Sequence, residues 1–172
     1  MPQKKWFWAA LCAQLILVLL IPASRWLVMA TGRSVFLETE PYDPYNIFSG
    51  YYVDLRYKIA NLDDLPAKPE LKESVQYFVV LKPGARGIWN PVKVTERFPR
   101  NLARDEIALR GKLKYCRMKY GIEQYYLPEY RRQTVEKLVR NPKNRVLVRV
   151  KVDARGQAAV EELRIGKRVF RY

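Results

Sequence analysis

The chain of 172 residues has no histidine, and its only cysteines are Cys12 and Cys116. Histidine is the commonest general base and metal ligand near neutral pH, and structural zinc or iron–sulfur sites need several cysteine or histidine ligands. Cys12 lies in an apolar run and Cys116 far beyond it, so an internal disulfide is not expected. The sequence therefore predicts no metal centre and no cofactor, and a fold whose stability comes from packing.

Charged residues are nearly absent from the first thirty positions, and an apolar run extends there from Trp6 to Ala23. Its 18 residues would span about 27 Å as a helix, which is close to the hydrocarbon thickness of a bilayer. The alternatives are a cleavable signal peptide, whose apolar core is typically about 7–15 residues, and a buried helix of a soluble protein. We expect residues 1–30 to form a retained N-terminal transmembrane helix.

The residues that flank the run indicate its orientation. Lys4 and Lys5 precede it, and positive charge favours the cytoplasmic side of a membrane. Aromatic and arginine side chains, which prefer the interface between lipid and water, stand at its two ends: Trp6, Trp8, Arg25 and Trp26. We expect a single-pass protein in contact with the lipid bilayer, with a cytoplasmic N-terminus and an extracytoplasmic domain, residues 31–172, in the periplasm or a lumen.

The region 31–172 is long enough for one domain with its own core. It carries 29 of the 32 lysines and arginines and all 17 acidic residues, which leaves a net charge of +12. Such a charge is typical of a solvated surface, of attraction to anionic headgroups, or of binding to nucleic acid or another polyanion. The basic residues are scattered and form no nucleic-acid-binding motif, so a nucleic-acid partner is not expected.

Period-two alternation of apolar residues recurs in this region and predicts strands with one buried face. We expect strands at residues 35–39, 52–60, 75–81, 92–95, 106–118, 146–152, 158–165 and 168–172. Helical spacing predicts one helix from Glu129 to Arg140, which Pro142 would end. The predicted fold class is mainly β (β-rich α+β): an N-terminal transmembrane helix followed by a small antiparallel β-sandwich or barrel-like domain with one short helix.

Two motifs carry a resemblance to a known family. The segment 50–57 resembles the motif for which the GDYXXLXY family is named, with Gly50, Tyr52, Leu55 and Tyr57 in register and Tyr51 in place of the aspartate. The segment 120–129 resembles a second family stretch of the form YGIExYfvPE. Its candidate interaction residues are Tyr120, Gly121, Glu123, Tyr126, Pro128 and Glu129.

The resemblance covers most of the chain, and its implications are modest. It implies a bacterial membrane-anchored protein without an assigned biochemical activity. Members of the family are often encoded beside multi-pass membrane proteins that are equally uncharacterised. Tyr51 cannot fill any role that depends on the carboxylate of the missing aspartate.

The first motif has a structural explanation. Gly50 can supply a positive φ or a close backbone approach where a turn meets a strand. Tyr52, Leu55 and Tyr57 can pack in the core while the tyrosine hydroxyls reach a hydrogen-bond partner. We favour this interpretation of residues 50–57 over direct binding.

The second motif is the better functional candidate. Glu123 and Glu129 flank aromatic residues, and two carboxylates in such a place could act as an acid/base pair of the kind that glycosidases use. They could equally cap a helix and form an ion pair with an arginine, the candidates being Arg117, Arg131 and Arg132. We favour the structural role here as well.

Three functions follow from these observations. The favoured one is a membrane-tethered, non-enzymatic accessory protein whose domain binds a partner, an integral membrane protein, through a surface rich in tyrosine and arginine; anchoring both proteins raises their effective concentration. The second is a membrane-surface hydrolase that uses paired glutamates or a Ser/Lys pair such as Ser49 and Lys58. The third is a binder of polyanions or anionic lipids, driven by the net charge.

Overall fold

A computed structural model of the full chain describes residues 2–40, 48–49, 52–126, 128, 130, 134–135, 138 and 144–171. Helix α1 spans Pro2–Thr31 and contains Pro22, which cannot donate a backbone hydrogen bond within it. In the described part of the chain no single helix meets the length and hydropathy of a membrane span, whereas Lys4–Leu20 and Pro22–Thr31, bent by 41°, meet them as a pair.

The described side chains of α1 are mostly exposed, including the flanking residues Trp6, Trp8 and Trp26. Lys4, Lys5 and Arg25 are exposed as well. Val28, in the last turns of the helix, is the exception, with 3% of its surface exposed. The helix contacts two strands of the first sheet, described next, and the buried Val28 shows that its C-terminal end packs on the domain.

The rest of the described chain is built mainly from strands, and all paired strands are antiparallel. Their bounds are β1 (Arg33–Glu38), β2 (Phe48–Ser49), β3 (Tyr52–Asp54), β4 (Gln76–Pro83), β5 (Trp89–Thr95), β6 (Ile107–Lys114), β7 (Arg117–Lys119), β8 (Gln124–Tyr126), β9 (Val146–Val152), β10 (Ala158–Ile165) and β11 (Arg168–Arg171). The prediction of a mainly β fold with antiparallel strands is confirmed.

The strands form three sheets with the orders β1-β9-β10-β11, β5-β4-β6-β7 and β2-β3-β8. Apolar residues alternate along the strands of the first sheet, so one face is buried while the other faces solvent. Val35 and Leu37 of β1, with Val148 and Val150 of β9, have no exposed surface and lie in one continuous hydrophobic core with residues of the other two sheets.

The turn between β9 and β10 joins the first sheet to the second. The carbonyl of Gly156 accepts a hydrogen bond of 2.8 Å from the backbone N–H of Arg110 in β6. Gly156 has a φ of +80°, and a Cβ built there would lie 2.8 Å from the carbonyl oxygen of Ala108. Only glycine fits this turn without displacing the neighbouring strand.

The structure corrects the predicted strand bounds in two places. The strand expected at 52–60 ends at Asp54; a single bridge at Tyr57 and a 3-10 turn, Lys58–Ala60, follow it. The strand expected at 106–118 is two strands, because the chain reverses at Tyr115 and Cys116. The helix expected from Glu129 to Arg140 lies largely outside the described residues, and those described within it, Tyr130, Thr134, Val135 and Leu138, are helical.

Candidate functional site

The two motifs lie side by side. Strand β3 of the first motif pairs with β8 of the second, with Val53 opposite Tyr125 and Asp54 opposite Gln124. Beyond the strands, the backbone N–H of Leu55 donates a hydrogen bond of 2.6 Å to the carbonyl of Glu123. Segments about 65 residues apart therefore share one hydrogen-bonded ribbon, a juxtaposition that sequence patterns alone did not predict.

Two buried tyrosines connect the motifs on the core side. The Tyr57 hydroxyl donates to the carbonyl of Ile122 at 2.8 Å, and the Tyr120 hydroxyl donates to the carbonyl of Ile59. Burial, together with the nearby Glu123 carboxylate, raises the pKa of both hydroxyls well above the ordinary value for tyrosine. Both groups therefore stay protonated and act as hydrogen-bond donors.

Glu123 closes the turn that begins the second motif. Its carboxylate accepts hydrogen bonds from the backbone N–H of Tyr120 at 2.6 Å and of Gly121 at 3.0 Å. Gly121 has a φ of +78°, which other residues adopt only with strain. The Tyr-Gly-x-Glu spacing thus builds a turn in which a charged oxygen satisfies two backbone donors.

The remaining candidate residues of the two motifs differ in their exposure to solvent. Leu55 is buried and Pro128 is exposed, while Tyr126 is 48% exposed. Tyr52 lies in β3, opposite Tyr126.

Gly50 and Glu129 lie outside the described residues, so the alternative of an acid/base pair formed by Glu123 and Glu129 stays untested. Of the arginines considered as partners for these glutamates, Arg117 forms an ion pair with Glu40, 3.1 Å away. Arg131 and Arg132 also lie outside the described residues.

A cleft of about 270 Å³ opens between the first motif and the hairpin of β6 and β7. Its lining includes four cationic side chains and two acidic ones: Arg56, Lys114, Arg117, Lys119, Asp54 and Glu123. The lining thus has two more cationic than acidic side chains, and one of the cations, Arg117, is paired with Glu40. We refer to this cleft below as the motif cleft.

Tyr115 stands at the rim of the motif cleft, at the tip of the hairpin, and its side chain is 88% exposed. Tyr115 and Cys116 have φ values of +52° and +55°, as the two central residues of a type I′ turn require. Neither is a residue that favours this turn, and each such non-glycine residue costs roughly 1–2 kcal/mol. Sequence patterns did not predict this turn, because Tyr-Cys carries no turn signal.

Within the described part of the chain, no group of three or more histidine, cysteine or acidic residues is arranged to hold a metal ion. The motif cleft itself is lined by the carboxylates of Asp54 and Glu123 and by lysine and arginine side chains. The cationic side chains suit recognition of carboxylates or phosphates.

Comparison with known proteins gives one match. The model of a family described as GDYXXLXY protein matches residues 14–163. No curated protein and no solved structure matches the chain.

Proposed function

Because the chain belongs to the GDYXXLXY family, we propose that it is a membrane-tethered, non-enzymatic accessory protein whose β-rich domain binds an integral membrane protein. Helix α1 crosses the membrane once, the N-terminus is cytoplasmic, and residues 31–172 are extracytoplasmic. The observation that carries the proposal is the motif cleft, where the family motifs meet beside a cationic surface and an exposed aromatic residue.

The composition of the cleft rim supports protein binding. Tyrosine and arginine are enriched at the energetic centres of interfaces, and here Tyr115 and Arg56 border one concave surface. The excess of cationic side chains favours an acidic segment, such as an extracytoplasmic loop rich in aspartate or glutamate, because opposite charges speed association and fix the register.

The hairpin tip supports the same conclusion. Strained backbone conformations persist where the surrounding structure holds them in place, and they cluster at functional sites. The β6–β7 pairing, with Lys114 opposite Arg117, holds the positive φ of Tyr115 and Cys116. The turn holds Tyr115 almost fully exposed to solvent, so this tyrosine does not fill the core.

The tether supports a partner in the same membrane. Anchoring two proteins in one bilayer converts their encounter into a local event at a raised effective concentration. A cleft of only about 270 Å³ contacts few partner residues, so the intrinsic affinity is modest and depends on this gain.

Photocrosslinking in intact membranes tests the partner. A photoreactive amino acid replaces Tyr115 in one variant and Val92, an exposed residue of the second sheet, in a matched control. We expect Tyr115 to crosslink to one or a few integral membrane proteins that mass spectrometry identifies, and Val92 to give none of them. Equal products from both positions, or no membrane protein from Tyr115, would overturn the proposal.

The topology is tested through a native residue. Cys116 is exposed on the domain, so a membrane-impermeant maleimide added to intact cells should label it. The Cys116→Ser variant provides the control, since Cys12 would then be the remaining thiol. Labelling only after the cytoplasm is opened, or recovery of the chain in the soluble fraction, would contradict the proposed topology.

A further inference from the structure

We propose that the outer face of the β1-β9-β10-β11 sheet binds the phosphate groups of anionic lipids at the surface of the membrane that α1 enters. This inference rests on the membrane tether of the proposed function. It concerns a surface on a different sheet from the motif cleft.

A row of four side chains crosses this face. Phe36 of β1 lies opposite Arg149 of β9, which lies opposite Glu162 of β10, which lies opposite Arg171 of β11. A bulge between Val160 and Glu162 shifts the register of β10 by one residue. The shift turns Glu162 to the same face as Arg149, and the row is continuous as a result.

Glu162 is a fully buried carboxylate at the centre of the row, with no exposed surface. Its Oε2 accepts a hydrogen bond of 2.8 Å from Arg171 Nε. Its Oε1 accepts a hydrogen bond from Arg164 Nε and lies 3.3 Å from Arg149 Nε. Burial raises the pKa of Glu162, but the arginines outweigh it and leave the pKa below the ordinary value, so the carboxylate stays charged.

The arginines are held in place from a second side. The guanidinium carbons of Arg149 and Arg164 lie 4.8 and 4.6 Å from the centre of the Phe36 ring, which is cation–π distance. A guanidinium has five N–H donors, and these two approach Glu162 through Nε. Arg164 keeps its Nε hydrogen bond to Glu162 while its other N–H groups bind a second anion. Arg149 Nε makes no hydrogen bond with any described residue, and Arg149 is held by the charge of Glu162 and by the Phe36 ring. The planar group of each arginine suits a phosphate.

The local charge favours an anion. Three arginines share this face with Glu161 and Glu162, and the nearest Arg149 atom lies 3.9 Å from the Glu161 carboxylate. The balance is one positive charge on a surface that the buried Glu162 keeps ordered. An ordered array loses less conformational entropy on binding than flexible lysines do.

The row of side chains lies close to helix α1, which favours a lipid headgroup over free phosphate as its ligand. The N–H of Gly32 donates to the carbonyl of Val28 at 2.8 Å, so α1 ends directly before β1 begins at Arg33. Phe36 lies three residues further, about 10 Å along the strand. The arginines of this row thus stand on strands next to the end of α1 that leaves the membrane, and their long side chains can reach toward the headgroup layer.

The experiment uses the full chain embedded in lipid nanodiscs. A single cysteine replaces Val169, which is 47% exposed and lies opposite Arg164; Cys12 and Cys116 become serine. An environment-sensitive fluorophore on this cysteine is read in nanodiscs of phosphatidylcholine alone and with added phosphatidylglycerol. We expect a blue shift in the anionic discs that high salt reverses, and identical emission in both lipids would overturn the inference.

Paired variants separate this surface from the general charge of the domain. Arg164→Gln should reduce the shift caused by phosphatidylglycerol to less than about half, since it removes one of the array's cations. Lys93→Gln, which removes one exposed cation from the second sheet, should leave it unchanged. Equal losses in both variants would show that only overall charge matters, against the inference.

The outcomes distinguish this inference from the proposed function. A chain that fails to embed in nanodiscs contradicts the tether, and the lipid site falls with it. A chain that embeds but does not respond to phosphatidylglycerol contradicts the lipid site alone. If Arg164→Gln unfolds, the lipid and salt dependence of the unsubstituted chain still tests the lipid site. Arg164→Gln combined with Glu162→Gln then removes the buried carboxylate together with one of its three arginine partners.

Discussion

Tyr57 and Tyr120 each donate a hydroxyl hydrogen bond to the backbone next to the other. Tyr57 binds the carbonyl of Ile122, two residues beyond Tyr120, and Tyr120 binds the carbonyl of Ile59, two residues beyond Tyr57. Each motif is therefore fixed by a side chain of the other. Loss of either hydroxyl should loosen both motifs and the motif cleft beside them.

Replacing Tyr57 by phenylalanine tests this reciprocity. The ring still fills its buried space, but the carbonyl of Ile122 loses its donor, and an unsatisfied buried group costs about 1–3 kcal/mol. Urea denaturation of the purified chain should show that loss. Tyr115→Phe, at an exposed position, should change stability by less than about 0.5 kcal/mol; equal effects of the two variants would mean that the Tyr57 hydrogen bond contributes nothing.

Glu123→Gln should destabilise the turn of the second motif. Its carboxylate accepts from two backbone N–H groups, whereas an amide offers one acceptor oxygen and turns its NH₂ group toward a donor. We expect a loss of about 1–2 kcal/mol, because hydrogen bonds to a charged acceptor are the stronger ones. The control is Glu70→Gln, at an exposed loop glutamate.

A Glu123→Gln variant as stable as the original chain would contradict the structural role of the Glu123 carboxylate.

The hairpin tip should become more stable when its strain is removed. Cys116 has a φ of +55°, and glycine adopts that conformation freely, so Cys116→Gly should raise stability by roughly 1 kcal/mol. Its N–H bond to Glu73 is made by the backbone and should persist. Lys112→Gly, in the adjoining strand, should lower stability by about as much, and a destabilising Cys116→Gly would show that the thiol packs against a partner.

The domain should become less stable at low pH because Glu162 becomes protonated. Its pKa is lowered in the folded state, so protons bind the unfolded chain first and the stabilisation is present only above the ordinary glutamate pKa. It should be lost as the pH falls through that value toward the lower folded one. Denaturation midpoints measured from pH 7 to pH 3 should show a steeper fall than in Glu162→Gln.

At neutral pH the Glu162→Gln variant should itself lose about 3 kcal/mol, because it leaves clustered guanidinium groups without their counter-ion. The estimate is at the low end because Arg171 is 65% exposed. If Glu162→Gln is as stable as the original chain at pH 7 and loses stability to the same extent between pH 7 and pH 3, Glu162 is not the titrating group.

Much of the fold was predictable because apolar and polar residues alternate along strands that have one buried face and one solvent-exposed face. Val148, Val150 and Val152 predicted β9, and its hairpin partner followed from the turn at Gly156. The same pattern predicted too long a strand at 52–60. Leu55, Tyr57 and Ile59 are buried as alternation requires, yet the regular strand ends at Asp54 and only a single bridge follows it at Tyr57. Alternation thus reports burial more directly than strand pairing.

The candidate sites were harder to predict because they depend on register. The two motifs were found in the sequence, but their contact depends on pairing between distant strands. Glu162 was missed because a one-residue bulge reverses the faces of β10, and nothing local marks the bulge. Tyr115 was missed because its turn is made by residues that disfavour it.

The pairing of β1 with β9 has a consequence for how the chain is made. Arg33 pairs with Val152, so the segment that emerges directly after α1 lacks its main neighbour until more than 100 residues later in synthesis. At roughly 5–20 residues per second, that interval lasts several seconds or longer. Throughout that interval the nascent chain presents an unpaired, partly apolar strand edge directly after helix α1, and a chaperone that shields such edges should govern the yield of the finished protein.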